Sequence, residues 1–261
     1  VAMSNHVPTV MIDNCVMSLS QTMRCVWKPV EVRFGDISQS VNVLGFERRP
    51  GPGEHETWKL EQFECLPTVA RLAREEAIEC YTYNELRHEA WRRPGSFPTD
   101  PIGRLFSDME FQCVDSAVER SFFFQGDAED TVSHAAIREF CTWLLEARME
   151  RHIDGLAESG RFPEPVIDNL SNVYRFRELC AGLGEDQYVD AFHQWTAEVN
   201  GINYFLTADK KFINAQTQSK NIELPCPPIG PAALLAALGV SSKDPFPHPE
   251  DKTIDIFGKP M

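Results

Sequence analysis

Residues 204–214 read YFLTADKKFIN, and the short apolar run followed by polar residues is typical of a buried strand that ends near Asp209. Two interpretations of Asp209 are open on this stretch alone. Asp is common in turns because its side chain bonds to nearby backbone amides. A carboxylate at the end of a buried strand can equally bind a ligand. The rest of the chain has to decide between a turn residue and a functional carboxylate.

Strands and helices alternate along most of the chain, which predicts an α/β fold. A mostly parallel sheet covered by helices on both faces, a three-layer α/β/α arrangement, follows from that alternation. Apolar, β-branched runs predict strands at residues 7–12, 78–83, 203–207 and 222–224. Apolar residues at every third or fourth position predict helices at residues 56–76, 130–156, 165–183, 187–200 and 231–238, and a further helix starting at Glu85 with Asn84 as its cap.

Residues 27–49 show a different pattern. Val30, Val32 and Phe34 alternate with other residues, a Gly-Asp turn follows, and a second alternating run leads to a PGPG breaker. This pattern predicts a β-hairpin. By contrast, residues 241–261 are rich in proline and charge, and we expect them to pack loosely or not at all.

Composition limits what such a protein can bind. The 261 residues are 43% hydrophobic and 25% charged, as in ordinary soluble proteins, and the formal net charge is −14. An acidic chain is a poor general binder of nucleic acid, because binding a polyanion draws on basic surface. Acidity is concentrated in residues 101–200, which carry 8 basic and 19 acidic groups. We therefore expect an anionic substrate to use cations outside that region, namely Arg48, Arg49, Arg87, Arg92, Arg93, Lys210 and Lys211.

Targeting signals and metal-binding cysteine pairs are not found in the sequence. No apolar run approaches the roughly 20 residues of a membrane helix, and the first residues lack a basic leader with a cleavage site. We therefore expect a cytoplasmic protein with no membrane segment. The eight cysteines contain no CxxC pair, which argues against a zinc ribbon or a thioredoxin-like site and favours free buried thiols.

Four carboxylates stand where a predicted strand ends or a predicted helix begins. Asp13 follows the first strand, Glu85 opens the helix after the second, Asp190 lies in the first turn of its helix, and Asp209 follows the strand quoted above. An acid in a first turn is also favoured by the helix dipole, so Asp190 has a structural explanation too. Because the carboxyl ends of parallel strands meet at one edge of a sheet, we expect the four to converge.

The order of these motifs resembles the PIN-domain nucleases. VMIDN, with Asp13 and Asn14, resembles the family's opening strand and first acid, and YNEL around Glu85 resembles the helix start after the second strand. DAFH at Asp190 resembles the helix with the third acid, and FLTADKKF around Asp209 resembles the Thr-x-Asp strand end. CPPIGPAALLAAL, beginning at position 226, resembles the closing strand and helix.

The resemblance implies a metal-dependent endoribonuclease that hydrolyses single-stranded RNA. Grouped carboxylates stay ionised together only beside cations, and ligation by oxygen alone suits Mg²⁺ or Mn²⁺. Asp13 and Asp209 would be direct metal ligands, Asp190 a direct or water-mediated ligand, and Glu85 the acid that orients a metal-bound water. Thr207 would support Asp209 or the metal-bound water, and Asn14 would hold Asp13; ordinary strand-end hydrogen bonding is the alternative for both. Arg87, Lys210 and Lys211 would contact the phosphates of RNA, with solvated surface cations as the alternative.

Domain organisation and two further functions follow from the same comparison. Residues 1–242 would form one PIN-like domain with insertions at about residues 24–55 and 94–164, and residues 243–261 a proline-rich tail. A PIN-like scaffold that binds a protein partner and cleaves little is compatible with the charge, the insertions and the tail. The toxin of a toxin–antitoxin pair, with an antitoxin as partner, is a weaker alternative because such toxins are compact. A homodimer is compatible with each of these functions.

Overall fold

The computed structural model describes residues 6–91, 105–124, 133–218, 222–248, 252–255 and 258–261. Expected features at Arg92 and Arg93, and in parts of the predicted 94–164 insertion, fall outside these ranges. The strands are β1 (Thr9–Ile12), β2 (Met23–Phe34), β3 (Ile37–Arg48), β4 (Glu79–Thr82), β5 (Gln112–Cys113), β6 (Tyr204–Leu206) and β7 (Pro228–Ile229).

Five of these strands form a parallel sheet in the order β5-β4-β1-β6-β7, and β2 and β3 form a separate antiparallel hairpin. The predicted α/β class is thus confirmed. Side chains alternate across the sheet, so that Met11 and Phe205 enter one apolar core while Val10, Ile12 and Leu206 enter another. Helices cover both cores, which gives the three layers expected from the sequence.

The helices are α1 (Asn14–Leu19), α2 (Thr57–Arg74), α3 (Asn84–Trp91), α4 (His134–Glu146), α5 (Ile153–Glu158), α6 (Glu164–Ser171), α7 (Val173–Cys180), α8 (Tyr188–Val199), α9 (Lys210–Gln218) and α10 (Pro231–Ala237). Helices α1, α2 and α10 pack in the core that contains Val10, and α4 and α6–α9 pack in the other. The ends of α8 match the prediction closely. Gly201, which follows it, has the positive φ of 68° that favours glycine after a helix.

Two helices predicted as continuous are interrupted. The helix expected at 130–156 is α4 and α5, separated by a 3₁₀ turn (Met149–Arg151) that starts after Arg148 at φ 45°. The helix expected at 165–183 is α6 and α7, which break at Asn172. Apolar periodicity continues across both breaks because the separate pieces face the same core, so the pattern alone does not reveal them.

The region after Asp209 differs from the prediction in two ways. Helix α9 was not predicted, although Phe212 and Gln216 are buried one turn apart on it. The strand expected at 222–224 is wrong, since the last strand of the sheet is β7, within the segment that resembled the family's closing strand and helix. The helix expected at 231–238 is confirmed as α10.

The C-terminal segment packs against the domain, contrary to the loose tail expected from its composition. Phe246 stacks on Phe63 of α2 with ring centroids 4.5 Å apart, and Asp244 pairs with Arg71 at 2.8 Å. Further on, Ile254 exchanges backbone hydrogen bonds of 2.8 and 2.9 Å with Phe46 at the base of the hairpin. Proline and charge made this segment resemble a disordered tail, but a few apolar anchors are enough to dock it.

The described ranges include no helix that is both long enough and apolar enough to cross a membrane.

Candidate functional site

The carboxyl edge of the sheet has a natural crevice between β1 and β6. After β1 the next strand of the sheet, β4, lies on one side of β1, and after β6 the next strand, β7, lies on the opposite side of β6. The direction in which strands are added thus reverses between β1 and β6. Ligands of open α/β sheets collect at such a reversal. Asp13 directly follows β1, and Thr207 and Asp209 follow β6, which places three of the predicted site residues at this crevice.

Asp13 is buried and held from two directions. Its Oδ2 accepts a hydrogen bond of 2.7 Å from the Thr207 hydroxyl and one of 2.7 Å from the Cys15 thiol. Burial, reinforced by the charge of Asp13, raises the pKa of Cys15 well above its usual value, so this thiol stays protonated and donates. Thr207 was expected to support Asp209 or a metal-bound water, and its hydroxyl donates to Asp13 instead.

Asp209 has the local capping role considered for it. Its Oδ1 accepts a hydrogen bond of 2.9 Å from the backbone N–H of Phe212, so it caps the start of α9. Its own N–H donates to the Thr207 hydroxyl at 3.1 Å, which links it to Asp13. A cap uses one carboxylate oxygen and leaves the other for a second contact, so the capping role does not exclude metal binding.

Asp190 on α8 carries the most unusual electrostatics of the group. Burial, together with the charges of Asp13, Asp209 and Glu89, raises its pKa to about 8, while His193 acts in the opposite direction. Within the described residues, its carboxylate has no hydrogen bond or ion pair. A partly buried carboxylate surrounded by like charges has a need for positive charge, which His193 meets only in part.

Glu89 on α3 joins this group and was not predicted to. It accepts a hydrogen bond of 3.0 Å from the Asn14 side chain and lies 3.4 Å from Nε2 of buried His193. Burial alone would lower the pKa of His193, but Glu89, Asp13 and Asp190 outweigh it and the pKa is raised. The other ring nitrogen of His193 hydrogen-bonds with the Tyr83 hydroxyl. The contacts from Tyr83 through His193 to Glu89, together with Asn14, thus fix the orientation of the Glu89 carboxylate.

Glu85, predicted as the acid that orients a metal-bound water, is bound by Arg120 instead. Both groups are buried, and two hydrogen bonds join them, 2.9 Å from Nε to Oε1 and 3.1 Å from Nη2 to Oε2. This bidentate pair uses both oxygens of the carboxylate. A role for Glu85 as a metal ligand would require that pair to open.

Asn14 lies at the start of α1 and contacts α3. Its amide nitrogen donates to the Leu86 carbonyl oxygen at 2.6 Å as well as to Glu89. The sequence analysis expected it to hold Asp13, whereas these bonds position the helix that carries Glu89. Asn14 is thus a link between two acids of the site.

A groove of about 770 Å³ opens beside Asp209. We call it the basic groove, since its lining includes Trp58 and the cations Arg49, Lys59, Lys210 and Lys211. The ammonium of Lys210 lies 5.8 Å from the centroid of the Trp58 ring. Lys59 and Lys211 make ion pairs of 3.4 and 3.2 Å with Glu56 and Asp186. Both pairs are exposed, and such pairs are weak enough for another anion to displace.

The third predicted RNA contact, Arg87, lies elsewhere. It is exposed and lines a second cavity of about 690 Å³, together with apolar side chains such as Met17, Phe106 and Met109. Lys210 and Lys211 therefore share one surface with Asp209, and Arg87 does not line that surface. None of the eight cysteines, all within the described ranges, forms a disulfide, and five of the expected buried thiols are buried.

The donor chemistry of the crevice fits Mg²⁺ or Mn²⁺. Asp13, Glu89, Asp190 and Asp209 offer only oxygen, and the raised pKa of Asp190 shows that their charges act on one another. As placed, no three His, Cys, Asp or Glu side chains among the described residues form a ready-made group for a metal ion. Binding would thus require side-chain rotation as well as charge neutralisation.

Comparison with known proteins does not assign the site. No protein-family model, curated protein or solved structure matches this chain. Its chemistry is therefore interpreted from its own residues.

Three groups of site residues were missed by the sequence analysis. Glu89 lies one helical turn after Glu85, and periodicity does not tell which of the two faces the crevice. His193 follows Asp190 on α8 and looks like an ordinary helix residue. Trp58 lies near the start of α2, and only the tertiary structure brings it beside Asp209. Arg49, by contrast, was among the cations expected to bind an anionic substrate, and it does line the groove.

We expect the pair of Glu85 and Arg120 to be structural. Arg120→Met leaves a buried carboxylate unpaired and should lower the free energy of unfolding by about 3–5 kcal/mol. The double variant Glu85→Leu/Arg120→Met should recover most of that loss, because neither charge is then left buried alone. Urea denaturation of both variants measures this, and equal losses in both would contradict the assignment.

Asp190 should make the metal-free protein less stable as the pH rises. An acid with a raised pKa in the folded state contributes full stability below its ordinary value of 3.8 and loses it as the pH approaches about 8. In EDTA, the urea midpoint of the wild type should fall more between pH values of about 5 and about 8 than that of Asp190→Asn. Asp186→Asn, an exposed change in the 3₁₀ turn (Glu185–Gln187) just before α8, is the matched control and should follow the wild type. The same pH slope in Asp190→Asn and wild type would contradict this prediction.

Proposed function

We propose that this protein is a metal-dependent endoribonuclease of the PIN type. The observation that carries the proposal is the set of carboxylates at the strand reversal, in which Asp190 has a pKa near 8 and no described partner. A site that keeps like charges together at a cost in stability is typical of function rather than of packing. The order of Asp13, Asp190 and Asp209 along the chain adds the family resemblance.

Asp13, Asp190 and Asp209 would hold Mg²⁺ or Mn²⁺, and Glu89 takes the place in the quartet that the sequence analysis gave to Glu85. The ion would lower the pKa of a bound water and stabilise the charge that develops on phosphate. Thr207 fixes the carboxylate of Asp13 through its hydroxyl. His193 and Asn14 keep Glu89 turned toward the crevice.

The basic groove supports RNA as the substrate. It places four cations and an aromatic ring next to Asp209 on a chain whose net charge is −14. Cations track a phosphate backbone, and an aromatic ring such as that of half-buried Trp58 stacks on a base, a combination typical of sites for single strands. The groove therefore offers a path by which a single strand reaches the carboxylates.

A scaffold with little cleavage is the second candidate. The side chains as placed do not form a three-ligand group among the described residues, which favours it. Metal binding without cleavage, or neither, would support this candidate.

The central test measures metal binding and cleavage separately. Mn²⁺ should raise the melting temperature of the wild type, since a ligand at about 100 times its Kd stabilises by about 2.7 kcal/mol. Asp13→Asn and Asp190→Asn should abolish the rise. They should also reduce cleavage of single-stranded RNA by more than the roughly 10- to 100-fold typical of outer-shell changes.

Asp209→Asn sharpens this test, because Asn is also a good helix cap and the start of α9 should stay intact. It should keep the wild-type stability in EDTA and still lose cleavage. Glu89→Gln should likewise lose cleavage. Full cleavage by Asp13→Asn and Asp209→Asn would sink the proposal.

Binding of RNA by the groove is a separate prediction that needs no metal. In EDTA, Trp58→Leu should weaken binding of a single-stranded RNA of about ten nucleotides by about 5- to 150-fold, the loss of one stacked base. Trp58→Phe should retain most of the affinity because the ring remains. Arg49→Gln and Lys210→Gln should each reduce the salt slope of the binding constant by about 0.7.

Trp27→Leu provides the control for the groove, since Trp27 is 69% exposed on the hairpin and does not line it. Fluorescence anisotropy measures all of these variants. Wild-type affinity in Trp58→Leu would exclude the groove while leaving the cleavage test intact.

A further inference from the structure

One wall of the basic groove is the connection between β3 and α2. Arg49, Pro50, Gly51 and Pro52 belong to this connection and line the groove. The backbone N–H of Arg49 donates to the Thr22 carbonyl oxygen at 2.6 Å. Beyond that bond the connection lies outside the sheet and the helices, so its position depends on the side chains that it packs against.

A pair of aromatic rings holds this connection. Phe246 of the C-terminal segment stacks on Phe63 of α2, with ring centroids 4.5 Å apart and planes 25° apart. The guanidinium carbon of Arg48 lies 4.5 Å from the centroid of the Phe246 ring, a favourable contact between a cation and an aromatic face. Gly51 lies so close to the other ring that a β-carbon there would be 3.0 Å from Phe63. The two rings therefore contact the chain on both sides of Arg49.

The C-terminal segment is itself anchored on α2. The backbone N–H of Asp244 donates to the Thr68 hydroxyl at 2.7 Å, and its carboxylate pairs with Arg71 at 2.8 Å. Lys243 pairs with Glu64 at 3.0 Å. These contacts fix the segment just before its aromatic ring, so that the ring connects α2 to the wall of the groove.

Arg49 is the cation that this arrangement places. Its side chain is exposed and lines the groove, and no carboxylate within the described ranges pairs with it. A guanidinium offers a planar fork of donors that suits a phosphate. Such a group binds more strongly when its backbone is already held in the bound position, because less conformational freedom is lost on binding.

We propose that Phe246 is a positioning residue for RNA binding, which holds the connection after β3 so that Arg49 faces a strand in the basic groove. The inference rests on the proposed binding of RNA by that groove. Phe246 does not line the groove. It acts through Arg48 and Phe63, which it contacts directly.

Fluorescence anisotropy of the full chain in EDTA, with a single-stranded RNA of about ten nucleotides, tests the proposal. Phe246→Ala should reduce the salt slope of the binding constant by about 0.7 and weaken binding about fivefold at about 0.1 M salt, the loss of one phosphate contact. Phe246→Tyr should bind like the wild type, because the ring remains and the hydroxyl of this half-buried side chain can reach water.

A double-mutant cycle separates positioning from a general effect on stability. If Phe246 acts through Arg49, Phe246→Ala/Arg49→Gln should bind RNA as weakly as Arg49→Gln alone. Asp244→Asn is the matched control in the same segment, because it alters a half-exposed ion pair and leaves the ring in place. It should bind like the wild type.

The other outcomes overturn the proposal in distinguishable ways. Wild-type affinity in Phe246→Ala, beside weakened binding in Trp58→Leu, would exclude the positioning role and leave RNA binding by the groove intact. An affinity that neither change alters would exclude both. Additive losses in the cycle, or an equal loss in Asp244→Asn, would show that Phe246 does not act through Arg49. No metal enters these measurements, so the cleavage test stands apart, and circular dichroism verifies that each variant is folded.

Discussion

The pairing of β1 with β6 is the contact on which the candidate site depends. Ile12 is in register with Leu206, and the next N–H, that of Asp13, donates to the Leu206 carbonyl at 3.0 Å. This register brings Asp13 level with Thr207. The Thr207 hydroxyl donates a hydrogen bond to the carboxylate of Asp13 and accepts one from the backbone N–H of Asp209. A shift by one residue would turn Asp13 to the other face of the sheet and separate the acids. The two strands are short, and the cores on either side of the sheet fix their register.

Burial and charge oppose each other at the crevice. The same packing that fixes Asp13 and Asp190 removes them from water, and their negative charges then act on one another more strongly. The protein meets part of this cost with neutral donors, namely the Cys15 thiol and the Thr207 hydroxyl at Asp13. For Glu85 it uses a full countercharge in Arg120. Asp13, Asp190 and Asp209 have no arginine partner of this kind among the described residues, and these are the acids that we propose to bind metal.

How far the sequence predicts this structure depends on the range of the interaction involved. The strands that end at Asp13 and Asp209 were predictable, because a β-branched run followed by Asp is a local pattern. The choice between Glu85 and Glu89 was not, since it depends on Arg120, which comes from a segment without a clear signal. Helix α9 was missed because Gln216, a polar residue, occupies a buried position on its apolar stripe. Docking of the C-terminal segment depends on Phe63, whose partner Phe246 is distant in sequence.

The positions of β1 and β6 along the chain also determine when the site can form during synthesis. During translation β1 leaves the ribosome before helices α1–α8, and β6 leaves after them. Most of the domain must therefore be synthesised before β6 can pair with β1 and place Thr207 and Asp209 beside Asp13. The activity that we propose would therefore be absent from the nascent chain until its helical layers have emerged.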